Sequence, residues 1–166
     1  DNRVSLTFDP TGELRITITG DDAGQGHQTT FAQVAAAQFS MPMDRIDVSQ
    51  GDSSLVGPGS GSGGSRTATV ASMGIVRAAE QIIEKGRHIA AARFEAAAVD
   101  VDFSDGTYAV AGTDKTIAFT DIVRASFDLR SLPPATEPGL SAQCHHLASE
   151  YNYPCGVHVC EVEIDP

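Results

Sequence analysis

Apolar and polar residues alternate on both sides of the first turn signal. Val4, Leu6 and Phe8 precede Asp9-Pro10-Thr11-Gly12, and Leu14, Ile16 and Ile18 follow it. A period of two around a turn predicts a β-hairpin with one buried face. The period then changes. From His27 to Phe39 there is no Gly or Pro, alanine is abundant, and Phe31, Val34, Ala35 and Gln38 share one helical face. That pattern predicts an amphipathic helix, which Pro42 ends. Ile46 and Val48 mark a short strand. A second helix is expected from near Ser65 to about Ala98, with Val70, Met73, Val76, Ile83, Ala90, Phe94 and Ala97 close to helical spacing. At 1.5 Å per residue it would be about 50 Å long. Gly74 and Gly86 either bend it or mark close approach of another backbone.

Val99, Val101 and Phe103, the turn Ser104-Asp105-Gly106, and Tyr108 with Val110 predict a second hairpin. A short strand over Lys115–Phe119 follows, then a brief helix from Thr120 to Arg124 with Thr120 as its N-cap. Pro133, Pro134, Pro138 and Gly139 predict an irregular excursion over residues 130–150. Val157, Val159, Val162 and Ile164 read as a closing strand whose alternation slips near Cys160, where a bulge is expected. The order of elements is that of an α+β domain. The expected architecture is two layers, with helices packed on one face of a mixed β-sheet, in a single domain over residues 1–166.

Chemistry concentrates between Asp21 and Thr69. Two glycine-rich turns there each lead into a helix: Gly24-Gln25-Gly26 before the first, and the run from Gly57 to Gly64 before the second. Glycine lets backbone N–H groups approach a ligand closely, and a helix entry adds unpaired donors and a partial positive charge. Two such devices in one small domain point to an extended ligand that carries phosphate.

Composition narrows the partners. The net charge is -11 and the sequence pI is near 4.6, which excludes the basic surface that nucleic acid requires. Local dipoles and a few cations must therefore hold any anion against the global field. Three cysteines, Cys144, Cys155 and Cys160, do not form the even framework of a secreted disulfide fold, so a cytoplasmic setting is expected. No apolar run is long enough to span a membrane, and no signal-like N-terminus is present. A start at Asp1 and a stop just after an apparent strand read as a piece of something longer. Cys144, His145, His146, Cys155, His158 and Cys160 lack the paired spacing of a zinc site, so no metal is assigned to them. Asp21 and Asp22 read as solvated turn residues rather than an acid–base pair, and His27 as structural.

The block GQGHQTTFAQVAAAQFSMPMDRIDVSQGDSSLVGPGSGSGGSRTATVASMGIVRAAEQI closely resembles the cofactor-binding large subunit of the molybdenum hydroxylases, the xanthine dehydrogenase, aldehyde oxidase and carbon monoxide dehydrogenase family. VDVDFSDGTYAVAGTD and GVHVCEVEIDP resemble that family's later hairpin and strand, so the likeness spans essentially the whole chain. The resemblance implies a domain that holds part of molybdopterin with its molybdenum, in bacteria often as the cytosine dinucleotide. Carried over by motif, the cofactor-binding residues are Gly24, Gln25, Gly26, Gly63, Gly64, Ser65, Arg66 and Thr67. Gln25 offers a donor and an acceptor to a pterin edge, Ser65 or Thr67 caps the helix or donates to a phosphate, and Arg66 offsets the acidic surface.

The implied parent reaction is hydroxylation of an aldehyde or N-heterocycle carbon with water-derived oxygen, with a small-molecule substrate, and with iron-sulfur and FAD centres on partner subunits or domains. The family's base glutamate sits in a Gly-x-Gly-Glu-like turn. The only Gly-Glu here, Gly12-Glu13, lies in the first hairpin turn, so no catalytic residue is assigned and the chain alone is expected to be inactive. Its partners are then the rest of its own subunit and the iron-sulfur and flavin subunits, with a homodimer of the piece as a further expectation. Two other readings stay open: a stand-alone phosphate- or nucleotide-binding module without redox activity, and a purely structural half-domain.

Overall fold

Pairing begins at the first hairpin. In a computed structural model that describes residues 2–59, 61–130, 132–147, 153 and 155–165, β1 (Asn2–Phe8) and β2 (Leu14–Ile18) are antiparallel, with Val4 opposite Ile18 and Phe8 opposite Leu14. The turn is held by Asp9, whose carboxylate accepts the Thr11 and Glu13 N–H groups and the Thr11 hydroxyl. Helix α1 (His27–Phe39) runs back, and β3 (Ile46–Gln50) then pairs parallel with β2, Leu14 beside Ile46 and Ile18 beside Gln50. A parallel pair needs such a crossover. The crossover places the start of α1 at the carboxyl ends of β2 and β3.

Strand β7 (Ser141–His146) pairs antiparallel with the other edge of β1, giving the order β3-β2-β1-β7. Val4, Leu6, Phe8, Leu14, Ile16 and Ile18 line the inner face, each at most 2% exposed. The outer face carries groups such as the exposed pair Arg15 and Asp47, 3.4 Å apart. Helices α1 and α2 (Thr67–Phe94, 28 residues) cover the inner face only, so this half is the expected two-layer α+β arrangement.

The remaining strands form a second sheet. β4 (Val101–Ser104), β5 (Thr107–Val110) and β6 (Thr116–Ala118) are antiparallel in that order and lead into α3 (Phe119–Ala125). An aromatic cluster joins the two halves: Phe119 lies 5.1 Å from Phe8 and 5.0 Å from Phe39, ring centre to ring centre. Tyr108 adds a hydrogen bond of 2.9 Å from its hydroxyl to the Ile83 carbonyl of α2.

Several boundaries differ from the sequence reading. The long helix starts at Thr67 and stops at Phe94, where Glu95 takes the left-handed conformation with φ 55 and donates to Ala91 and Ala92. Its buried stripe runs through Val70, Ala71, Gly74, Ile75, Ala78, Ala79, Ile82 and Ile89, so Met73 is 40% exposed. Small residues define this face because α2 lies close on the sheet: a Cβ on Gly74 would stand 2.7 Å from Val4 Cγ2. The N-cap position of α3 is Ala118, and Thr120 lies inside that helix. Residues 130–150 are not wholly irregular, because β7 falls there and occupies the open edge of β1. Residues 157–164 form no strand, and Val157, Val159, Val162 and Ile164 are 74–89% exposed. Their alternation is real, but they pair with neither sheet.

Gly86 is a packing glycine: a Cβ there would collide with the Tyr108 hydroxyl. Overpacking of this kind costs about 1–3 kcal/mol. Gly86→Ala is therefore expected to lower the unfolding free energy, measured by denaturant titration, by that much, and by clearly less in a Tyr108→Phe background; equal losses in the two backgrounds would show that the hydroxyl is not the obstacle. Burial also raises the Tyr108 pKa above its ordinary 10.0. The unfolded chain ionises first, so stability should fall as pH rises past 10, and Tyr108→Phe should remove that part of the fall.

Candidate functional site

Both glycine turns emerge at one edge of the sheet, because β2 and β3 are parallel and each is followed by a helix. Open α/β structures place ligands outside the carboxyl ends of such strands. The turns are also tied to one another. The Gly51 N–H donates to the Gly20 carbonyl at 3.0 Å, and the Ser62 hydroxyl donates to the Asp21 carbonyl at 2.9 Å. Thr19, Gly20, Asp21, Gly51, Gly57 and Gly61 are among the residues around a shallow cavity of about 340 Å³ between them.

The first turn is shaped by Gly24 and Gly26, with φ 98 and 72, conformations that a residue with a Cβ adopts only under strain. Asp22 organises it: one carboxylate oxygen accepts the Gly24 and Gln25 N–H groups, both at 2.9 Å, and the other accepts the His27 N–H at 3.2 Å. Burial pulls the Asp22 pKa up, yet the hydrogen bonds from Gly24 and Gln25, with the nearby His27, outweigh it and hold the carboxyl below its ordinary 3.8. Gln25 folds its Oε1 onto the Ala23 N–H. His27 is buried and stacks on Phe31 at 5.0 Å between ring centres, so its structural assignment stands, while its Nδ1 has no partner among the described residues.

The second turn enters α2 through Gly64 and Ser65, with φ 62 and 53. The N-cap residue is Arg66, exposed and without a capping side-chain bond, and the first turn of the helix holds no acidic residue. Thr67, the first residue of α2, is buried at 7% exposed. Gly59 serves packing, since a Cβ on it would meet Thr19 Cβ at 2.7 Å, whereas one on Gly57 would meet only the movable tip of Arg3, Nη1, at 2.8 Å. By contrast, nothing lies within 4 Å of the position a Cβ would take on Gly24, Gly26, Gly63 or Gly64. Bare backbone facing open space at two helix entries fits a ligand that is part flat ring and part phosphate.

The structure thus brings the two predicted residue sets to the same end of the sheet, with Thr67 buried at the start of α2. Two polar groups at this edge, Arg3 and Gln50, were not assigned a role from sequence, and Asp22, read there as a solvated turn residue, has a structural role. Asp22 holds the first turn. Arg3 reaches the second because β1 runs antiparallel to β2. Gln50, at the end of β3, buries both atoms of its carboxamide without a partner among the described residues. Arg3 carries no local signal, whereas Asp22 two residues before a Gly-x-Gly turn is a recognisable capping pattern. Among the described residues no three His, Cys, Asp or Glu gather to hold a metal ion, and no helix is long and apolar enough to cross a membrane.

A family profile described as the molybdopterin cofactor-binding domain matches residues 1–166. The chain is 36% identical over 161 residues to the carbon monoxide dehydrogenase large chain of Hydrogenophaga pseudoflava, covering 96% of this chain and 20% of that one. It is 32% identical over 155 residues to the 6-hydroxypseudooxynicotine dehydrogenase complex subunit gamma of Paenarthrobacter nicotinovorans, covering 93% and 20%. Among solved structures, carbon monoxide dehydrogenase from Oligotropha carboxidovorans superposes with a TM-score of 0.82 at 29% identity, over 87% of this chain and 18% of that one. The chain spans about one fifth of the length of these curated relatives. None of these matches supports a stand-alone phosphate-binding module.

The Asp22 carboxylate is held below 3.8 only in the folded chain, so its contribution is present above that pH and lost as pH falls through the folded value. Asp22→Asn should lower stability at neutral pH and converge with the wild type in acid. Denaturant midpoints measured from pH 7 downwards check this, and a constant difference between the two proteins would refute it.

Proposed function

This chain belongs to the molybdopterin cofactor-binding domain family, and from that premise we propose that its two glycine turns form one side of the cradle for a molybdenum–pterin cofactor in a larger oxidoreductase. One observation carries the reading: two glycine turns that each lead into a helix follow the carboxyl ends of paired parallel strands, and hydrogen bonds from Gly51 to Gly20 and from Ser62 to Asp21 tie them together. When bound, the cofactor supplies the redox chemistry that no side chain here can provide. The chain binds and orients. Gly24 and Gly26 let a ring lie against the backbone, and Gln25 offers its amide to the edge of that ring. Gly63, Gly64 and Ser65 bring backbone to a phosphate, and Arg66 supplies the cation that an acidic protein must place locally.

The parent activity we propose is hydroxylation of a small organic substrate, an aldehyde or an N-heterocycle, with oxygen from water. The relatives named for 6-hydroxypseudooxynicotine and for carbon monoxide mark how far substrates diverge on this scaffold. The pterin would carry a cytosine dinucleotide, the electrons would leave through iron-sulfur and FAD centres on partner subunits, and the assembly would be cytoplasmic. The general base would come from elsewhere in the subunit.

Molybdenum content of the full-length protein, isolated with its partners, tests the reading. About one molybdenum per subunit is expected in the wild type, falling several-fold in Gln25→Ala plus Arg66→Ala with the fold retained. A folded wild type without molybdenum, under conditions that load a known molybdoenzyme, would sink it.

A further inference from the structure

The loop between β3 and α2, residues 51–59 and 61–64, folds back on the end of the first hairpin and touches it at three places. The Gly51 N–H donates to the Gly20 carbonyl at 3.0 Å, and the Ser62 hydroxyl donates to the Asp21 carbonyl at 2.9 Å. Between these ties, Gly59 lies on the side chain of Thr19. An added Cβ there would stand 2.7 Å from Thr19 Cβ, 2.8 Å from its Oγ1 and 3.1 Å from its Cγ2. Thr19 is only 2% exposed, although it is polar and sits just past the end of β2.

Thr19 is fixed from the other side by Arg3, which it opposes one pair beyond the register of β1 with β2. Its N–H donates to the Arg3 carbonyl at 3.0 Å, and its Oγ1, in place of a backbone carbonyl, accepts the Arg3 N–H at 2.8 Å. A threonine Cβ moves only with the backbone, so it cannot yield to a group placed on Gly59. Nor is Gly59 one of the glycines of positive φ, which include Gly51 and Gly64 on either side of it. Alanine would therefore meet no backbone strain at 59, only the side chain of Thr19. Gly61 supplies the contrast, with no positive φ and nothing within 4 Å of the position a Cβ would take.

We propose that Thr19 is a positioning residue for the second glycine turn: its side chain, held by Arg3, is the seat on which Gly59 rests, and this contact fixes the path of the loop between its two hydrogen-bonded ties. The seat is a property of the chain; only its consequence for loading rests on the cofactor reading. Thr19 acts through the loop and touches no reacting atom.

Hydrogen exchange, read by mass spectrometry on the full-length protein with its partners, tests the proposal. The N–H groups of Gly51, Ser54, Leu55 and Val56 are hydrogen-bonded to Gly20 or to Asp52, and they report the order of the loop. Gly59→Ala should speed exchange over residues 51–59 at least about fivefold, the low end of what one extra methyl does in a packed contact, while Gly61→Ala leaves it at the wild-type rate. Thr19→Val keeps the shape but removes the acceptor of the Arg3 N–H, and should speed exchange over residues 2–5 as well as over the loop. Thr19→Ser keeps that acceptor and should behave as the wild type. Gly59→Ala decides the matter by itself if Thr19→Val does not fold. Wild-type exchange in Gly59→Ala, or equal acceleration by Gly61→Ala, overturns the proposal. Molybdenum content, expected to fall several-fold in Gly59→Ala and to hold in Thr19→Ser, separates this from the broader reading. A wild type that lacks molybdenum but shows the expected exchange pattern supports the seat and removes the cofactor. A Gly59→Ala protein with a loosened loop and full molybdenum overturns the positioning role and leaves the cofactor reading in place.

Discussion

Parallel pairing of β2 with β3 is the constraint from which the rest of the site follows. Two adjacent parallel strands must be joined by a crossover that returns along the sheet, and here α1 is that crossover. Once α1 begins where β2 ends, the chain has to turn sharply at Gly20–Gly26, and again after β3 at Gly51. Both turns therefore sit on one edge whatever residues fill them. Had β3 paired antiparallel, the second glycine run would have opened at the far end of the sheet, and the two sequence motifs could not share a ligand.

The same topology decides which charges act at this end of the sheet. Long-range repulsion from a net charge of -11 is screened within about 10 Å at ordinary salt, so the sign of the field near a ligand is set by groups within that radius. At this edge Arg66 stands at the start of α2, and Arg3 reaches Gly57 from the first strand. Asp22 is the one carboxylate drawn into the backbone of the turns at the entry of α1, where its charge is neutralised in part by three N–H groups and by proximity to His27.

Most elements were legible in the sequence because periodicity reports burial directly. Val4, Leu6 and Phe8 alternate because every second side chain of β1 enters the core, and all are at most 2% exposed. The buried stripe of α2 was misread for a related reason. Large apolar residues such as Met73 catch the eye, yet the helix lies so close to Val4 that its contact face is made of Gly74, Ala71 and Ala78. Strand β7 was hidden because Ser141–His146 is polar and only Cys144 is buried, at 8% exposed. The two glycine turns were legible from their spacing, but the burial of Thr67 was not, because a helix entry does not reveal which side of its first turn faces the sheet.

The tail at residues 157–164 separates pattern from partner. Alternating Val157, Val159, Val162 and Ile164, interleaved with Glu161 and Glu163, has every local feature of a half-buried strand. A strand is stabilised by neighbours rather than by its own backbone preference. Both neighbours of β1 are already in place, with β2 on one side and β7 on the other. The edges that remain, on β3 and β7, are not used by the tail, and its four aliphatic side chains stay 74–89% exposed. The second glycine turn also leaves its backbone uncovered: Gly64 takes φ 62, and nothing lies within 4 Å of the position a Cβ would take on Gly63 or Gly64.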